Sequence, residues 1–355
     1  MTIGSLDPAQ TQSPFSRILV TGAAGYLGRT LVRRLLREGH TLRVVVRSAG
    51  DAAKLAAAGI RPDRRVEIVH HDLTRRFALP RVLEGCEAII HAAGRMASGR
   101  GERRSLAADN VEAAAYLLEA ALKVKARRVL YVSHVFGVGA ARDAHPADEH
   151  VRFDLNALPG DVIQAKRIAE LEALRAATRG LPIVFPTPTF CLGPGPLGRS
   201  ARWWLPTLMH PLGGLWAGGI NIIDVRDAAR SIARLLFVGA PGERFLLGGH
   251  NLPFTALRRA LLERRAERPH VRRPRPSPDR RLRTAAGALA GRILERLPGE
   301  KITDPAVAAF LSRFWYYDDT HARRCIGHRS RPLDETLDAM KDDPTFPFFR
   351  GRDAS

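Results

Sequence analysis

Short apolar runs alternate with amphipathic stretches along the first half of the chain. Ile18-Leu-Val20, Leu42-Arg-Val-Val-Val46, Val66-Glu-Ile-Val69, Ala88-Ile-Ile90, Val129-Leu-Tyr-Val132 and Pro182-Ile-Val-Phe185 read as buried parallel strands. Between the first two, Leu27, Leu31, Leu35 and Leu36 recur at helical spacing. Strands that alternate with helices predict an α/β fold, a doubly wound parallel sheet over residues 15–188. Residues 1–14 are polar and read as a disordered tail.

The first strand runs directly into Gly22-x-x-Gly25-x-x-Gly28 and then into the first helix. Three glycines at this spacing allow a sharp turn, a close phosphate approach and tight helix-on-strand packing. Backbone N–H groups of Tyr26, Leu27 and Gly28 would receive a pyrophosphate, aided by the helix dipole. A Cβ at Gly22 is expected to occupy the phosphate's path. An ordinary strand-to-helix turn is the plain alternative, but the flanking strand and helix favour a Rossmann dinucleotide site.

Beyond Pro188 the pattern changes. Phe190, Leu192, Trp203, Trp204, Leu205, Leu208, Met209, Leu212, Leu215 and Trp216 form a dense apolar set broken by glycine and proline. It either lines a pocket for a flat or lipophilic molecule or forms the core of a second domain. Residues 189–345 are therefore read as a smaller C-terminal substrate-binding domain, with 220–235 returning to the Rossmann core and 346–355 a tail. Residues 268–278 are proline-dense and predict an extended connector. Leu282, Ala286, Leu289, Ile293 and Leu297 then share one helical face, so 280–297 is a basic amphipathic helix. Such a helix packs on its own domain or lies peripherally on a membrane surface.

The formal charge of +20 raises the question of nucleic acid, yet only six of the basic residues are lysines and the arginines are dispersed over helix faces. The balance reads as a solvated basic surface. An exception is 258–296, where thirteen arginines face four acids. Cys86, Cys191 and Cys325 are widely separated, so no metal cluster is expected, and a reduced, cytoplasmic setting is the simplest reading. No signal-like core or membrane-length apolar run is visible. A homodimer is left open.

Taken together, Thr21–Gly28, Asp72-Leu73, His91-Ala-Ala-Gly94, Asn110-Val111, Leu130-Tyr-Val-Ser133, Lys166 with Ala169-Glu170, Leu192-Gly-Pro-Gly195, Asp224–Ala228 and Glu243–Gly249 carry a likeness. The chain resembles the extended short-chain dehydrogenase/reductase family, the NAD-dependent epimerase/dehydratase group, in its dihydroflavonol reductase and 3β-hydroxysteroid dehydrogenase branch. The resemblance implies that Asp72, with Leu73 beside it, meets the adenine amino group and that Ala92 and Ala93 pass beneath the adenosine and pyrophosphate. It places Asn110 at the start of a helix near the active site, where an N-cap role is compatible. At the end of the second strand stands Arg47, with no acid before Asp51, so a 2′-phosphate is accommodated and NADP is favoured over NAD. Arg47 lying across the adenine face is the alternative.

The resemblance also implies a tyrosine proton donor four residues before a lysine, and a hydroxyl residue that polarises the same substrate oxygen. Lys166 matches the lysine, but Val162 occupies the tyrosine position and Ala165 the neighbouring small-hydroxyl position. The serine position falls on His134, or on Ser133 one residue earlier. His134, which would titrate between about pH 5 and 8, is the candidate replacement acid, and a proton taken from water or a substrate hydroxyl is the alternative. Three readings follow. The first is an NAD(P)-dependent oxidoreductase of a small lipophilic carbonyl or alcohol. The second is an epimerase, isomerase or dehydratase that uses the cofactor transiently, and the third is a noncatalytic NAD(P)-sensing protein.

Overall fold

A computed structural model describes residues 14–96, 103–140, 143–154, 158, 161–266 and 305–346. The proline-dense connector, the amphipathic segment 280–297 and the tail 346–355 apart from Phe346 lie outside these residues. So does the N-terminal tail up to residue 13.

Seven parallel strands form the main sheet: β1 (Ile18–Thr21), β2 (Leu42–Val46), β3 (Val66–His70), β4 (Ala88–His91), β5 (Arg128–Tyr131), β6 (Ile183–Pro188) and β9 (Arg244–Leu247). Their order is β3-β2-β1-β4-β5-β6-β9. The expected doubly wound sheet is present. Chain direction across the sheet reverses between β1 and β4, and it is outside the carboxyl ends of these strands that such sheets open a crevice for ligands.

The first helix, α1 (Tyr26–Arg37), shows why the layers hold together. Leu31, Val32 and Leu35 fall on one face and are completely buried against Ala228, Ala229 and Ile232 of α9 (Val225–Arg234). Each such leucine or valine stabilises the layer by about 1.5–3 kcal/mol. Arg34 and Arg37 lie in the last turn, where positive charge suits the helix dipole.

Strand β6 contains two prolines, which normally disfavour a central strand. Ser133 N–H donates to Pro186 O at 2.9 Å, so the side of residue 186 that lacks a donor faces β5. β5 pairs with β6 only through Ile183 and Val184, and the prolines lie beyond that contact, where no ladder bond is lost.

A second sheet is built around β8 (Gly219–Asp224). It pairs antiparallel with β10 (His250–Pro253) and parallel with β7 (Phe190–Leu192) and β11 (Phe314–Trp315). Packed beside it are α8 (Arg199–Met209), α10 (Phe254–Ala266) and α11 (Pro305–Leu311). The aromatic set settles mostly into this core: Trp204, Leu205, Leu208, Phe190, Leu192 and Trp216 are at most 3% exposed. Side chains so enclosed fill the interior rather than face a ligand. Trp203 and Met209 remain partly buried at its edge. Two further helices, α12 (Thr320–Ile326) and α13 (Leu333–Asp342), complete the described chain. No described helix is long and apolar enough to cross a membrane.

Candidate active site

Gly22 sits at φ +71°, in the left-handed region that glycine enters without strain. A Cβ there would lie 2.4 Å from the carbonyl of Ala92 and 2.5 Å from the Ala93 nitrogen. The glycine therefore makes room for the chain's own exit from β4, a constraint that stands beside the phosphate approach expected of it. Gly28 is constrained similarly: its Cβ would be 2.1 Å from Gly22 O, so α1 rests directly on the turn. Gly25 is the N-cap and offers no side-chain acceptor. The first helical bond runs from Arg29 N–H to Gly25 O, leaving the N–H groups of Tyr26, Leu27 and Gly28 without an intrahelical acceptor. Three unsatisfied donors at a helix N-terminus suit a pyrophosphate, and a dinucleotide fits this cradle.

The Tyr26 side chain has a separate task. Its hydroxyl donates to Gly193 O at 2.7 Å, and Gly195 and Gly198 lie against its ring. It therefore ties the glycine turn to the loop before α8.

Asp72, the residue expected to meet an adenine amino group, accepts at Oδ1 from the Thr74 N–H and hydroxyl at 3.0 and 2.8 Å. Burial raises the Asp72 pKa, but the Thr74 bonds, Arg47 and Arg75 outweigh it and hold the carboxyl below its usual range. Leu73 is partly buried against the helix layer. Arg47 is half exposed and pairs with Asp109 at 2.8 Å, while Arg95 reaches the other Asp109 oxygen at 3.3 Å. Ser48 accepts from the Asp51 N–H and starts α2 (Ala49–Ala57).

Asn110 is not at a helix start. One helical path runs from α4 (Arg103–Leu106) through a π-helical turn, Ala107–Glu112, into α5 (Ala113–Lys123). The wider turn holds Asn110 in its middle. Its Oδ1 accepts from Arg95 N–H at 2.9 Å and its amide donates to Leu106 O at 3.0 Å, so the N-cap role is replaced by a brace on the loop after β4.

Helix α7 (Asp161–Thr178) carries Lys166 toward that loop. A Cβ on Gly94 would stand 2.4 Å from Lys166 Nζ and 3.0 Å from Asn110 Oδ1, so the glycine is what lets the ammonium reach the end of β4. Burial drives the Lys166 pKa down to about 8, with Glu170 opposing the shift. Val162, one turn earlier, is buried in apolar packing with no proton to give.

Both residues read onto the serine position, His134 and Ser133, behave differently from expectation. His134 caps α6 (Val135–Val138): its Nδ1 accepts from Phe136 N–H at 3.1 Å. The proton of the neutral ring is therefore on Nε2. Burial, and then the Lys166 charge, lower its pKa to about 3, so it does not titrate between pH 5 and 8. Ser133 donates its hydroxyl to buried Glu170, which also pairs with Arg244. Its proton is already engaged in a structural network that joins β5, α7 and β9.

Sequence reasoning assigned no role to His91, Thr21 or Asp109. Thr21 Oγ1 bonds His91 Nδ1 at 2.8 Å and also faces the Ala93 N–H, fixing the two strand ends that flank the crevice. Asp109, adjacent to Asn110, shares its carboxylate between two arginines far away in sequence, a pairing without a local signal.

The model of the NAD dependent epimerase/dehydratase family matches residues 18–211. A putative dihydroflavonol 4-reductase from Synechocystis sp. is 31% identical over 250 residues, covering 66% of this chain and 68% of the relative. Sterol demethylase protein B of Methylococcus capsulatus is 28% identical and covers 66% and 70%. Among solved structures, a dTDP-glucose 4,6-dehydratase from Streptomyces venezuelae with NAD and TYD bound shares the fold with a TM-score of 0.69. Its identity is 23%, with 92% of this chain and 97% of that chain covered.

Proposed function

The chain belongs to the NAD dependent epimerase/dehydratase family, and from that premise we propose that it is an NADPH-dependent reductase of a lipophilic carbonyl compound. Its relatives include proteins named as reductases, which supports an oxidoreductase of the nicotinamide-dependent kind. The observation that carries the finer reading is the contrast at the crevice: the cofactor cradle and Lys166 are in place, while Val162 has replaced the proton donor by an apolar, buried side chain.

A bound nicotinamide dinucleotide supplies the hydride for such a reaction. The chain must then hold the substrate oxygen and provide a proton. Lys166 is suited to the second task, because an amine whose pKa lies near 8 is mostly protonated at neutral pH and still gives up its proton readily. Neutral His134 is suited to the first, since Nε2–H donates a hydrogen bond without ionising. Arg47 supports NADP, because its exposed pair with Asp109 is cheap to rearrange, about 0–1 kcal/mol, against a charge-assisted contact to a phosphate.

Support for an apolar substrate comes from Met96, Val151, Phe153, Trp203 and Met209, which are partly buried around the core containing Val162 and Phe136. The names of the sterol-linked and dihydroflavonol-linked relatives point to flat or greasy molecules as well. Val162 also favours one rival, a noncatalytic NAD(P) sensor. The test is turnover: purified protein with NADPH and a panel of aromatic, isoprenoid and steroid-type ketones, followed at the reduced-nicotinamide absorbance. Oxidation of NADPH that depends on a ketone and is lost in Lys166→Met supports the proposal. Tight NADPH binding with no turnover on any carbonyl or alcohol overturns it in favour of the sensor.

A further inference from the structure

Away from the crevice, three side chains of different chemistry converge beside the edge strand β9. His321 and Cys325 are four residues apart on α12 and so share a face of that helix. Glu243 reaches them from the tight turn before β9. His321 Nε2 lies 2.9 Å from Glu243 Oε1, and His321 Nδ1 lies 3.6 Å from Cys325 Sγ. One nitrogen, one sulfur and one carboxylate oxygen all stand within 4.8 Å of one another.

We propose that Glu243, His321 and Cys325 bind a divalent transition-metal ion of zinc-like character, with the remaining position open to water. Ligands about 2.0–2.3 Å from a tetrahedral ion lie roughly 3.3–3.8 Å from each other, so the trio needs only side-chain rotation to close on one. A mixed thiolate, imidazole and carboxylate set selects zinc-like ions over calcium or magnesium, which take oxygen ligands alone.

Two of the three groups are already held. The His321 ring stacks on Phe245 at 4.9 Å and 15° between planes, and Glu243 Oε2 accepts from Ala240 N–H at 2.7 Å. The cost of ordering them on binding is correspondingly small. Cys325 is exposed, and the His321 and Glu243 side chains are 37% and 29% exposed, so an ion has a route in. The bound ion would pin α12 to the sheet edge. The same residues also read as a thiol relay, with imidazole as base and carboxylate as its orienting partner. Glu243 and Cys325 do meet opposite ring nitrogens, as a relay would, but sulfur and carboxylate oxygen also lie within 4.8 Å of each other, and that convergence favours chelation.

The full chain is stripped with a chelator and titrated with Zn2+, then with Co2+ as a spectroscopic probe. The expected result is one equivalent bound, a thiolate-to-cobalt charge-transfer band and a higher melting temperature with metal. Cys325→Ser should remove the charge-transfer band, and His321→Ala should weaken zinc binding at least tenfold. Cys325 is exposed while His321 is partly buried against Phe245, so the apo melting temperature of each variant checks that it folds. Absence of stoichiometric binding, or identical binding by the Cys325→Ser/His321→Ala double variant, overturns the proposal. Rapid alkylation of Cys325 that depends on His321, with no metal bound, overturns it in favour of the relay.

Discussion

Replacing Lys166 with arginine separates its charge from its proton. Burial holds the Lys166 pKa near 8, so about nine-tenths of the protein carries the ammonium at pH 7 and about one-tenth at pH 9. If that ammonium protonates the substrate oxygen, the rate of carbonyl reduction should be level below about pH 8 and fall tenfold per unit above it. Arginine keeps a positive charge close to Gly94 but does not deprotonate in this range, so the alkaline limb should vanish. Loss of a positioned acid costs on the order of 10²–10⁴ in rate, and kcat should bear that loss while NADPH affinity changes less. His134→Ala should lower the rate without moving the limb, since its neutral imidazole has no ionisation above about pH 3 to contribute. The assay is initial rate against pH at saturating NADPH and ketone. An unchanged profile in Lys166→Arg, or a histidine-like limb near pH 6–7 that disappears in His134→Ala, would refute the reasoning.

Arg47→Asp should reverse a preference for NADPH over NADH by putting repulsion where the 2′-phosphate would sit, which calorimetric titration with both cofactors checks; equal affinities in the parent protein defeat the reading. Gly28→Ala should destabilise the protein by several kcal/mol, measured by denaturant unfolding, because its Cβ would be 2.1 Å from Gly22 O and the helix must lift off the turn. Glu170→Gln should cost about 3–5 kcal/mol by the same measurement, since Arg244 would lose the buried carboxylate that it shares with Ser133. His91 and His134 are neutral when folded and have pKa values near 3 against about 6.5 unfolded. The unfolded state therefore binds more protons between these limits, so their contribution is full above pH 6.5 and is lost as pH falls, by up to about 2.7 kcal/mol per pH unit for the two together. A melting temperature that stays constant from pH 7 to 4.5 would contradict this.

What was legible in the chain is what depends on neighbours in sequence. Apolar runs the length of a strand, a glycine triplet at fixed spacing and leucines at helical spacing predict the sheet and its first turn, because strand, turn and helix there are consecutive. The missing tyrosine was equally visible, since it is counted four residues back from Lys166. Which face each aromatic residue takes was not: Trp204 and Trp203 adjoin in sequence, yet one is enclosed and the other half open. The π-helical turn that carries Asn110 past the helix start likewise has no signature in Ala107–Glu112.

Tertiary structure decided the chemistry of the crevice. Sequence alone determined that His134 is an imidazole and Lys166 an amine, with ordinary pKa values near neutrality and well above it. Enclosure by the aromatic core and the approach of Lys166 press the imidazole into its neutral form, and burial lowers the amine until it becomes the better acid. Ser133 was a free hydroxyl on paper and is an engaged donor in the fold, because Glu170 and Arg244 arrive from α7 and β9. Desolvation and charge pairing depend on atoms brought together across the fold, and the order of residues along the chain does not carry that information.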